Sequence, residues 1–124
     1  MPGLNWAFEQ VAIGIMRSVM NSALRGTTES QLKDAIRDGT SLWKVSEGEI
    51  RAQASKIPPF VIAKGNEVVE TIEKEHGGFT PLVIKWLEVD QPNYCSTIKN
   101  TPGGYIWLDT QVYDILRGIG MLKP

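Results

Sequence analysis

One cysteine, Cys95, and one histidine, His76, stand in a chain of 124 residues. A single cysteine closes no internal disulfide and builds no multi-cysteine zinc site. A reducing compartment is the simpler setting for such a chain. Neither sign of charge is in excess: 13 Lys and Arg face 14 Asp and Glu, for a formal net charge of -1. A nucleic-acid-binding domain usually carries a basic patch or a high pI, so here only a local patch would serve. Long apolar runs are also missing. The apolar stretch LNWAFEQVAIGIMRSVMNSAL is interrupted by Glu9, Gln10 and Arg17. A membrane span needs roughly 20 mostly apolar residues, and charge at its centre is costly. No basic start leads into a clean apolar run and a cleavage site. These absences predict a soluble cytoplasmic protein without a membrane partner.

What is present fits a globular chain. Hydrophobic residues make up 42% and charged residues 22%, both ordinary values. The length fits one domain, 1–124, with a helical N-terminal part over 1–57 and a second part over 60–124. Residues 4–25 read as the longest helix. Phe8, Val11, Ala12, Ile15, Val19 and Ala23 recur at helical spacing, and Ile13, Met16, Met20 and Leu24 add a second stripe. A helix apolar over so much of its circumference is buried on several sides. Two burials satisfy that equally: a central core position, or a helix shared between two subunits with Trp6, Phe8, Ile15 and Val19 at the contact.

Gly26 closes this helix. Thr28 and Gln31 have capping-box spacing for a second helix, which ends at Gly39. Ser46-Glu47-Gly48-Glu49 repeats the box and opens a helix to about Lys56, which Pro58 and Pro59 break. A short strand at 60–63 then precedes a helix over 66–76 capped by Asn66, with Val68, Val69 and Ile72 inward. Thr80 caps the next helix, 80–88, with Pro81 in its first turn; a strand over 82–87 is the competing reading, because Val83, Ile84 and Trp86 favour sheets. Asp90 caps a helix to 99. Asn100-Thr101-Pro102-Gly103-Gly104 signals a turn, Tyr105 to Leu108 a strand, and Thr110 the cap of a last helix.

The order of three helices, a turn and a strand over 66–109 resembles the winged helix-turn-helix superfamily. Thr80-Pro81 starts the second helix as in many such domains, and Leu87-Glu88-Val89-Asp90 occupies the place of the inter-helix turn. Tyr94 and Ile98 fall at the spacing that packs a recognition helix. The resemblance implies a mainly helical fold with a small β-hairpin or wing (α+β), the winged-helix-like half packed on the long N-terminal helix. It also implies DNA contacts from Gln91, Asn93, Ser96 and Lys99. The charge count does not favour that role. From residue 80 onward, Lys85, Lys99, Arg117 and Lys123 are balanced by Glu88, Asp90, Asp109 and Asp114, whereas non-specific DNA affinity comes largely from Lys and Arg.

Other chemistry is thin. Glu70, Glu73 and His76 line one side of a helix, but a di-iron site needs a Glu-x-x-His pair from each of two helices. With one histidine, the set cannot form in a monomer. His76 instead suits a helix C-terminus. Cys95 follows the packed Tyr94, so the winged-helix reading expects it to be partly exposed. Thr101-Pro102-Gly103-Gly104 lacks the Gly-Lys-Ser/Thr ending of a phosphate loop. Of the four tryptophans, Trp43 and Trp107 suit the core. The sequence therefore predicts a non-catalytic interaction or assembly module, without cofactor or metal. Its partner is a second copy of itself or another protein. A winged-helix DNA-binding regulator is the alternative.

Overall fold

The computed structural model describes residues 4–43, 48, 51, 52, 55, 59 and 65–122, with the side chains of 4–9, 11, 12 and 66 not included. Among these residues the elements are six helices: α1 (Leu4–Arg25), α2 (Glu29–Asp38), α3 (Gly65–His76), α4 (Phe79–Asp90), α5 (Pro92–Asn100) and α6 (Gly104–Gly118). No strand occurs among them. The expected α+β fold is thus corrected to an all-helical one. Residues 105–108 are not a strand but the first turns of α6, and the 82–87 strand reading gives way to α4. Residues 60–63 fall outside the described residues; of the helix expected from Ser46 to about Lys56, only 48, 51, 52 and 55 are described, and these four are helical.

The physical reason lies in the period of burial along α6. Gly104, Trp107, Leu108, Gln111, Val112, Ile115 and Leu116 are all buried, a stripe at helical spacing sustained over the whole element. A strand over 105–108 would bury only alternate residues of that short run. Each large apolar side chain taken from water is worth roughly 1.5–3 kcal/mol, so the fifteen-residue pattern outweighs the local β preference of Tyr105, Ile106 and Trp107. The would-be wing, 100–104, is a tight connection in which Gly103 takes a left-handed φ of 81°.

Local capping chemistry decides several boundaries. Thr28 accepts from the Gln31 amide while the Gln31 side chain accepts from the Thr28 amide, a complete capping box. Gly39 ends α2 in the left-handed conformation. Gly77 and Gly78, with φ of 72° and 113°, turn the chain between α3 and α4 in two residues, a corner that side-chain-bearing residues resist. Four expected caps are corrected. Asn66 lies inside α3, which begins at Gly65. Thr80 lies inside α4, whose N-cap is Gly78, and its hydroxyl donates to Asp109 instead (3.0 Å). Asp90 is the last residue of α4 rather than the cap of α5. Thr110 sits within α6, its hydroxyl donating to the Ile106 carbonyl (3.1 Å).

One continuous core joins the elements. Met16, Val19, Met20 and Leu24 of α1 meet Val68, Val69 and Ile72 of α3, Phe79, Val83 and Leu87 of α4, and the inner stripe of α6. Helix α6 packs on α1, α4 and α5, while α2 lies against α5 and α3 against both α1 and α4. Over residues 16–24, both apolar stripes of α1 are covered within the chain, because α3 and α6 approach it together. Trp43 and Trp107 are buried as expected, their rings 6.1 Å apart.

Candidate functional site

The corner of α4 and α5 was the sequence's candidate surface. The structure brings Asn93, Ser96 and Lys99 to the exposed side of α5, with Gln91 half-buried at the joint. None of them is a free cation aimed at solvent. The Lys99 ammonium donates to Glu88 Oε1 at 3.1 Å, and that hydrogen bond, followed by the charge of Glu88, raises its pKa. Ser96 accepts from the Asn100 side chain (3.2 Å). The surface is polar and locally neutral.

Cys95 corrects the expectation of partial exposure. It is 2% exposed and its thiol donates to the Ile84 carbonyl, 3.8 Å away. Burial pushes the thiol pKa up, which opposes thiolate formation and nucleophilic chemistry. A cavity of about 260 Å³ lies beside it, lined by Glu88, Pro92, Ser96, Lys99 and Asn100. Cys95 also lines it, but its thiol is engaged by the Ile84 carbonyl, and Lys99 is paired with Glu88.

Beneath this corner, polar ties clamp the two halves of the chain. The Arg17 guanidinium forks onto Asp90, Nε to Oδ2 at 3.0 Å and Nη2 to Oδ1 at 2.6 Å, while Asn21 donates to the same carboxylate (3.2 Å). The Arg17 fork holds the Asp90 carboxyl below its ordinary range. Arg17 also lies 6.0 Å from the centre of the Trp86 ring. The Tyr94 hydroxyl donates to the Thr27 carbonyl. Asp90 and Tyr94 therefore act as anchors rather than as recognition groups.

Glu70, Glu73 and His76 of α3 are all exposed. No group of three or more His, Cys, Asp or Glu residues that would hold a metal occurs among the described residues. Glu73 instead accepts from the Tyr113 hydroxyl. Burial, then this bond to a carboxylate, pushes the Tyr113 pKa up to about 12. His76 is exposed at the end of α3, while Cys95 is buried in α5.

No protein family, no curated protein and no solved structure gives a match to this chain. The residues expected at a subunit contact divide. Trp6 and Phe8 have side chains outside the described residues. Ile15 is half-buried against the core, and Val19 is fully buried within it. Sequence reasoning missed the exposed large hydrophobic side chains among the described residues, Val89 at 79% and Ile106 at 77%, with Tyr105 at 47%. Reading 104–118 as one helix would have revealed Ile106, because it lies off the stripe that carries Trp107, Leu108 and Val112. No described helix is long and apolar enough to cross a membrane.

Proposed function

We propose that this chain is a small cytoplasmic interaction module that acts by binding rather than by catalysis, and that self-associates through the outward ends of α4 and α6. The observation that supports this reading is the exposure of Val89 and Ile106. Most large apolar side chains in the described core are covered, yet these two stand in water on elements whose opposite faces are fully packed. Single exposed hydrophobics are common, so the reading rests on the pair being near-completely open and on Tyr105 standing beside Ile106. Aromatic residues are enriched where proteins meet.

Sedimentation velocity over about 1–100 μM, the range in which modest interfaces assemble, tests the proposal. Self-association that weakens in Val89→Asp and Ile106→Asp is expected. A monomer throughout that range would overturn it. The same samples, titrated with a labelled mixed-sequence DNA duplex at low and physiological salt, test the alternative. Steeply salt-dependent binding lost in Lys99→Ala would replace the proposal with a nucleic-acid role. The Glu88 carboxylate on Lys99 argues for no such response.

A further inference from the structure

We draw no further inference here: the strongest candidate, the crevice of about 480 Å³ between the last turn of α1, the Gln31–Asp38 side of α2 and residues 40–42, is acidic only through Asp34 and Asp38, which Arg37 already engages, and nothing in the structure shows what would fill it.

Discussion

Asp90 shows how one side chain can carry a pH response. Its folded-state pKa is lowered, chiefly by the hydrogen bonds from Arg17. A carboxylate of this kind contributes its stability in full above its unfolded value, about pH 4, and loses it as pH falls through the lowered folded value. Arg17 is 41% exposed on its side chain, so screening holds the tie to about 1 kcal/mol. Thermal melts of Asp90→Asn should therefore run below the parent by a constant margin from pH 7 to about 5, and the margin should close below about pH 4. An unchanging margin at low pH would separate the tie from the stability. Gln111 predicts the opposite kind of change. Its Oε1 is buried without a hydrogen-bond partner, as is Trp43 Nε1. An orphaned buried acceptor costs roughly 1–3 kcal/mol, so Gln111→Leu should raise stability by about 1 kcal/mol in urea unfolding. Cys95 supplies a third test. Because its thiol is buried and protonated, a thiol reagent should label the folded protein at least about 100-fold more slowly than the unfolded chain, with opening as the gate. Rapid native labelling would contradict the placement of α5.

Between elements, glycine sets the closest approaches. A Cβ on Gly104 would lie 1.9 Å from the Ile98 carbonyl oxygen, and one on Gly65 would lie 2.4 Å from that of Met121. Both obstacles are backbone, which does not swing aside. Gly104→Ala must push α6 off α5 and should cost about 3 kcal/mol. Gly14 makes the contrast: it lies exposed in α1 with nothing within 4 Å of a Cβ. Gly14→Ala removes only a helix-interior glycine and should gain about 0.5–1 kcal/mol. Chemical denaturation of both variants checks the pair, and a neutral Gly104→Ala would show that the crossing has slack. These elements also mark what was legible beforehand. The α2 boundaries were readable because Thr28, Gln31 and Gly39 act on their immediate neighbours. Residues 105–108 were not, because a turn signal followed by Tyr, Ile and Trp has the local signature of a strand. What decides them is burial continuing to Leu116, a whole-element property. The outward faces of Asn93, Ser96 and Lys99 were legible from helical spacing; the partner of Lys99 was not, since Glu88 arrives from another helix.

At the scale of the molecule, the apolar width of α1 finds much of its explanation inside the chain, between α3 and α6. That moves the proposed contact away from Val19 and toward the open ends of α4 and α6. The ties that seat α1 and α2 have a further consequence. Arg17 reaches Asp90 across 73 residues, and the Tyr94 and Trp107 donors reach Thr27 and Thr40 across 67. Helical proteins fold fast when their contacts are local; these clamps are not. During synthesis at roughly 5–20 residues per second, α1 and α2 wait about 4–15 seconds for the residues that hold them. For that interval Met16, Val19, Met20 and Leu24 have no completed core to enter. The newborn chain therefore carries its longest helix without the partners that bury it until its second half exists, and transiently exposed apolar surface of this kind is what chaperones shield.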